Sequence, residues 1–378
     1  MGYIFYSISD YVKSECYYKE ALQRARRNIE NGKERTRSGI LALENNYANV
    51  LVQLGRYDEA IIYYQEALLE KERVVGKSGM ETTGLLYNLG SVSLKLGEKE
   101  KALEYYEKAR AIRTKVLGRE HMEVIIVLSQ IGNVYCAMEK FAKAKDIYTL
   151  VLKARAQELG TENEATLTTI MNQGFVLYKS GQYDVAFEFY GAALEHTSDY
   201  DWDLRAAIMH SMGNIQIRRK EYTAAIQSYM DALKLKRKMF GNQHQSVVRT
   251  LHNLGVVCCR QKLLDEAEFN LEEALLIGMK VLKPLHPEIG KLMIDLGKVY
   301  YKKKKFLFAK QYFSDALELL RDANLTQEHE FIKYGNVCLT RVNKRLSRRR
   351  KTVKIVPSEP VKYVDKEEIV PITLINVM

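Results

Sequence analysis

Apolar residues recur three and four apart along nearly the whole chain, with polar or charged residues in the positions between. That spacing predicts amphipathic helices, each with one stripe turned to a core. The helices come in pairs. Between Thr83 and Val124 a first helix aligns Leu86, Leu89, Gly90 and Ser93; after a Gly97-Glu98-Lys99 turn, a second aligns Ala102, Tyr106 and Ala109. The same pattern fits again 42 residues away on both sides. The small residue of the first helix recurs as Ala48, Gly90, Gly132, Gly174, Gly213, Gly255 and Gly297. The leading alanine of the second recurs as Ala60, Ala102, Ala144, Ala186, Ala225, Ala267 and Ala309. Five of the six intervals are 42 residues and one is 39. A fixed period in this range marks stacked supersecondary units, each buried against its neighbours. Alanine and glycine let the paired helices approach, and the aromatic fills the adjoining hole. The expected fold class is all-α, a solenoid of antiparallel helix pairs.

The register divides the chain. Residues 1–40 read as a partial first repeat, with Gly2 in the small-residue place and about seven residues of that unit lacking before it. Residues 41–331 hold seven full repeats. Residues 332–346 are expected to form a capping helix, with Phe331, Tyr334, Gly335 and Cys338 in the apolar register of earlier first helices. Residues 347–378 are expected to be a basic and then Pro-containing tail without order, punctuated by Pro357, Pro360 and Pro371. The 39-residue interval replaces a glycine loop with Glu195-His196-Thr197-Ser198-Asp199-Tyr200-Asp201-Trp202-Asp203 and predicts an irregular joint.

The stretches LGRYDEAIIYYQEAL and SGQYDVAFEFYGAAL, together with Leu117-Gly118-Arg119-Glu120-His121 and Leu285-His286-Pro287 between hairpins, resemble tetratricopeptide repeats. The 42-residue period is most similar to the kinesin light chain subtype. This resemblance covers roughly residues 1–345 and implies a right-handed superhelix whose first helices line a concave groove. It also implies asparagines in that groove that hold a peptide. The sequence has no heptad stretch of the kind that joins kinesin light chains to the motor, so a complete light chain is not expected.

Composition adds one feature. Of the formal net charge of +11, eight units sit between Arg341 and Lys354, where no acidic residue occurs, leaving +3 for the rest. The run Lys344, Arg345, Arg348, Arg349, Arg350 and Lys351 suits an import signal, a nucleic-acid phosphate contact or an anionic membrane surface. It supports an alternative reading of the chain as a nuclear or nucleic-acid-associated scaffold. The five cysteines show no metal spacing and no disulfide framework, which fits a reducing compartment. No apolar run is long enough to span a membrane. The expected localisation is cytoplasmic, or nuclear through the basic run.

Catalytic chemistry is not expected. His121, His244 and His286 share one position near helix starts, where capping explains them better than metal binding. His210 and His252 share a first-helix position without a partner spaced to complete a site. No nucleophile–base or paired-carboxylate pattern recurs, and neither cofactor nor metal is expected. The reading is therefore a non-catalytic adaptor, with the candidate chemistry on the exposed face of the first helices. Two residues before each small residue stand Asn46, Asn88, Gln130, Asn172, Ser211, Asn253 and Asp295. Five residues after it stand Gln53, Lys95, Ala137, Lys179, Arg218, Arg260 and Lys302. Amides can pair both edges of an extended backbone, and cations beside them select acidic side chains. Arg249, Lys291, Lys298 and a further amide, Asn214, fall on the same face. A short acidic peptide docked over residues 206–302 is the expected partner; nucleic acid or anionic membrane is expected only through the basic tail.

Overall fold

The structure, a computed structural model, describes residues 1–31 and 38–350. Its regular elements are seventeen α-helices and a single 3-10 turn at Met80–Thr82, with no strand among the described residues. The chain divides into two compact units, Met1–Gln261 and Lys262–Met378. In the first unit, α1 (Gly2–Ser7) and α2 (Tyr11–Glu30) precede α3 (Ser38–Gln53) and α4 (Tyr57–Val75), then α5 (Thr83–Lys95) and α6 (Lys99–Leu117). There follow α7 (Met122–Ala137) with α8 (Phe141–Leu159), α9 (Glu164–Lys179) with α10 (Tyr183–His196), and α11 (Trp202–Arg218) with α12 (Tyr222–Phe240). Helix α13 (Gln245–Gln261) ends that unit. The second unit holds α14 (Leu264–Val281), α15 (Pro287–Lys302), α16 (Phe306–Asp322) and α17 (Glu330–Arg350). Within each unit consecutive helices pack on one another, as in an α-solenoid.

The repeated core is a glycine under an aromatic ring. A Cβ built on Gly90, Gly132 or Gly213 would lie 2.9, 2.8 and 2.9 Å from the rings of Tyr106, Tyr148 and Tyr229. In the second unit, Gly297 meets Phe313 in the same way at 2.7 Å. Ala48 occupies this place against Tyr64, so the first full repeat seats its ring over a methyl group; Ala48 is itself fully buried. Ala102, Ala144, Ala186 and Ala225 are also fully buried. Ala102→Leu is expected to overpack the α5–α6 crossing and lower stability by about 1–3 kcal/mol, read as a fall in midpoint during urea unfolding. A midpoint equal to wild type would show that the crossing has room to spare.

Helix ends follow local chemistry. Gly97 turns α5 into α6 with φ 82, a conformation that suits glycine. At the matching turn between α11 and α12, Lys220 takes φ 64 without a glycine. The histidines near helix starts are caps. Nδ1 of His121 accepts from the Glu123 N–H at 3.2 Å, and His244 accepts from Ser246 at 3.1 Å. In the second unit His286 and His329 cap α15 and α17, accepting from Glu288 and Phe331, each at 3.2 Å. Asn163 does the same for α9.

The joint expected from the 39-residue interval lies at α10, which has 14 residues where α8 and α12 have 19. Thr197 ends it, buried, with its hydroxyl donating to Ala193 O at 2.5 Å. Arg205 of α11 then donates to Thr197 O at 3.1 Å and pairs with Asp199 at 3.2 Å. Lys238 lies 3.7 Å above the Trp202 ring.

Helix α17 differs from expectation in two respects. It begins at Glu330 and continues to Arg350, carrying Ser347 and Arg348 beyond the apolar pattern that suggested an end at Leu346. Arginine is a good helix former, and a turn that is polar all round leaves no periodicity to read. Tyr334, expected in the core register, is 45% exposed; Ile332 and Val342 are buried instead. The basic residues Lys344, Arg345 and Arg348 are exposed on this helix, and Arg345 Nε donates to Tyr301 Oη at 3.4 Å. Arg349 and Arg350 belong to its last turn. Lys351 and the tail to Met378 lie outside the described residues.

Candidate functional site: an inner row of first helices

In the first unit, α7 touches α9 and α9 touches α11, so the first helices form the closely spaced edge of the stack. The polar positions singled out in the sequence lie along this edge, but many are bonded to one another. The Tyr148 hydroxyl donates to Asn133 Oδ1 at 2.5 Å, and Asn172 Nδ2 of the next first helix approaches the same oxygen at 3.5 Å. Two intervals further on, Tyr229 donates to Asn214 Oδ1 at 2.7 Å and Asn253 Nδ2 approaches it at 3.5 Å. Asn88 Nδ2 donates to Asn45 Oδ1 at 3.2 Å, and Tyr64 donates to Asn49 at 2.5 Å. Each unit of this stitch therefore ties a second helix to its own first helix and that helix to the next. The asparagines expected to grip a peptide use one amide edge to hold the stack. Among the described residues no hydrogen bond uses Asn253 Oδ1, which leaves an acceptor at the row. Asn46 is half-buried on α3.

The stitching partners, Tyr64, Tyr148, Tyr229, Asn49 and Asn133, escaped the sequence reading. Their signal was present: the aromatic of the second helix keeps a hydroxyl in most repeats although it lies in the core. Phe175 breaks the series. It stands where Asn133 and Asn214 stand, is 42% exposed, and leaves Tyr190 to reach Met171 O at 3.4 Å.

The cations divide into two groups. Lys95, Lys179, Arg218 and Arg260 are exposed in the first unit, and none has an ion-pair partner among the described residues. Lys179 sits 5.5 Å from the Phe175 ring, while Arg218 donates to the Tyr178 hydroxyl at 3.2 Å. Arg249 is exposed and engaged in other contacts. In the second unit the predicted cations are used internally. Lys298 pairs with Asp295 and lies 4.1 Å from the Tyr334 ring, and Lys291 lies 5.6 Å from Phe331. Lys302 is exposed with contacts of its own.

His210 is the strongly perturbed group of the row. Asn253 Nδ2 approaches its Nε2 at 3.0 Å, and its ring stands edge-on to Tyr229 with centroids 5.2 Å apart. Burial, reinforced by the charges of Lys236 and Arg249, pushes its pKa down to about 3. His252, at the same position one repeat later, is buried. Among the described residues no group of three or more His, Cys, Asp or Glu could hold a metal ion.

A helical stack with this stitched edge can be compared with known proteins. A family model of the tetratricopeptide repeat matches residues 39–115, 81–157, 165–238 and 246–322, most of the chain. The chain belongs to the tetratricopeptide-repeat family. Among solved structures, the apo form of RapI is similar over 92% of this chain and 96% of its own, with TM-score 0.59 and 16% identity. A tetratricopeptide repeat protein from Parabacteroides merdae covers 77% of this chain and 95% of its own, with TM-score 0.53 and 18% identity. A kinesin light chain-like protein from Podosopora anserina, with nearly identical repeats, covers 55% and 98% at TM-score 0.46 and 19% identity. For the first two, at these identities, the likeness is one of fold. No curated protein sequence matches the chain. Tetratricopeptide-repeat arrays are generally non-catalytic scaffolds that bind other proteins, and this chain is an array of that family. Among the described residues no helix is long and apolar enough to cross a membrane.

Proposed function

We propose that the chain is a non-catalytic adaptor whose inner row, along α9, α11 and α13, holds a short acidic segment of a partner protein. One contrast carries this reading. On the second helix α6 three cations are neutralised on their own helix or by the turn before it: Lys101 pairs with Glu98, Lys108 with Glu104 and Arg110 with Glu107. Lys179, Arg218 and Arg260, on the first helices, have no carboxylate in reach among the described residues. Unpaired cations along a row reinforce one another and draw in an anion, while amide acceptors such as Asn253 Oδ1 fix a backbone N–H.

The test is an array of short acidic peptides, followed by solution binding of the best. Arg260→Glu should weaken that peptide by about 1–2 kcal/mol, roughly five- to thirtyfold, and flatten its salt dependence. Lys108→Glu, on a second helix, should leave binding as it was. Equal binding by the Arg260→Glu protein, or crosslinks that map the peptide to second helices, would defeat this reading. Asn253→Ala should weaken binding as well, through the lost acceptor.

A further inference from the structure

Lys236 belongs to α12, a second helix, yet its ammonium reaches between the first helices α11 and α13. Its repeat position, four residues past the last core residue of the second helix, holds Arg113 and Arg155 in two other repeats. Those guanidinium groups finish on backbone. Arg113 donates to Glu123 O at 3.0 Å and pairs with the Glu123 carboxylate at 2.8 Å. Arg155 donates to Ala165 O at 2.9 Å and Thr169 Oγ1 at 2.8 Å. Lys236 is shorter and reaches no carbonyl. Its Nζ donates to Thr250 Oγ1 at 2.8 Å, and its other near neighbour is His210 Nδ1 at 3.5 Å.

The surrounding hydrogen bonds decide what that neighbour offers. Asn253 Nδ2 is a donor and faces His210 Nε2, so Nε2 accepts and the neutral ring carries its proton on Nδ1. The Thr250 hydroxyl donates to Ser246 O at 2.9 Å and so presents lone pairs to both Lys236 and His210. An ammonium with three N–H donors thus has a single acceptor. No carboxylate lies within ion-pair distance of it among the described residues. The other charged groups acting on it are Asp203 of α11, which favours its charge, and Arg249 of α13, which opposes it. His210 and Lys236 both remain partly exposed, on the same edge as Asn253.

We propose that this pit between α11, α12 and α13 is a carboxylate site that seats an acidic side chain of the bound segment, with the Lys236 ammonium at its floor. It rests on the peptide-binding reading above and adds to it the point where one acidic residue is fixed in register. A carboxylate there supplies the missing acceptors and neutralises a half-buried cation, a stronger contact than an exposed charge provides. It also brings a signature that arginine rows lack. Burial lowers the Lys236 pKa to about 8, so the empty site loses its charge in a range where guanidinium groups in general stay charged.

The experiment uses the full chain and a fluorescein-labelled acidic peptide from the array, amidated at its C-terminus. Between pH 7 and pH 9 its affinity should fall roughly tenfold, following the charged fraction of a group that titrates near 8. Lys236→Met should bind more weakly at pH 7 and show no such fall. Lys236→Arg, the variant that keeps a cation, should bind at both pH values alike. If Lys236→Met matches wild type at both pH values while Arg260→Glu still weakens binding, the pit is refuted and the adaptor reading stands. Restoration of binding only by a free C-terminal carboxylate would refute the side-chain assignment. An independent arm needs no peptide. In the chain labelled with 13C-lysine, glutarate should raise the titration midpoint of the Lys236 Cε signal, identified by its absence in Lys236→Met. An unmoved midpoint, or one moved by inorganic phosphate and not by glutarate, would overturn the carboxylate assignment.

Discussion

Lowering the pH from 7 to 5 is expected to remove about 2 kcal/mol of stability through His210 alone, with more lost towards pH 3. The folded pKa is about 3, against about 6.5 for an unfolded histidine. Between those values the unfolded chain binds a proton that the folded chain refuses, so stability falls as pH falls through that window and is whole above it. The causes are structural. The ring is half-buried against Tyr229, its Nε2 is committed to accepting from Asn253, and Lys236 and Arg249 add positive charge nearby. Protonation would turn that acceptor into a donor facing an N–H donor. His210→Gln should remove most of the difference, because an amide can accept from Asn253 and does not titrate. The measurement is urea unfolding of both proteins at pH 7 and pH 5. Equal acid losses in the two would place the sensitivity elsewhere.

Tyr148→Ala is expected to cost about 3–5 kcal/mol, the range for deleting a buried aromatic. The ring is 1% exposed and lies over Gly132, a position with no side chain to move into the space. Its hydroxyl, whose pKa burial pushes far up, also ties α8 to Asn133. Tyr148→Phe separates the two contributions. It keeps the packing, leaves Asn133 Oδ1 with Asn172, and should cost about 1 kcal/mol. Hydrogen exchange in α7 and α8 would locate the damage, since stacked repeats open locally. A Tyr148→Ala protein within 1 kcal/mol of wild type would show that the ring is not a principal support of its repeat.

The helix pairs, their turns and the short fourth interval were all legible in the sequence, because each leaves a periodic mark: a glycine, an alanine, an aromatic, a shortened spacing. The use made of the polar rows was less so. Asn88, Asn172 and Asn253 read as solvent-facing, yet they bond across to the preceding first helix, and sequence period gives no view of what a neighbouring helix presents. Lys298 read as part of an open cluster opposed only by Asp295, three residues before it on the same helix; Tyr334, the ring beside it, belongs to a neighbouring helix and comes near only through folding. Lys236 recurs in register with Arg113 and Arg155, but a lysine late in a second helix looks like any other surface cation. Its passage between two first helices appears only once they are placed.

The Tyr–Asn–Asn stitch has a mechanical side. In the first unit neighbouring first helices touch and share bonds, whereas a cleft of about 990 Å³ opens along α6 and α8, lined by Arg110, Leu150 and Lys153. The stack is therefore sewn along one edge and loose along the other. Such a body bends readily by closing or widening its loose edge, and resists any pull that lengthens the sewn one. A partner lying on the sewn edge meets a ruler of nearly fixed spacing, while tension applied across the second helices is taken up as curvature.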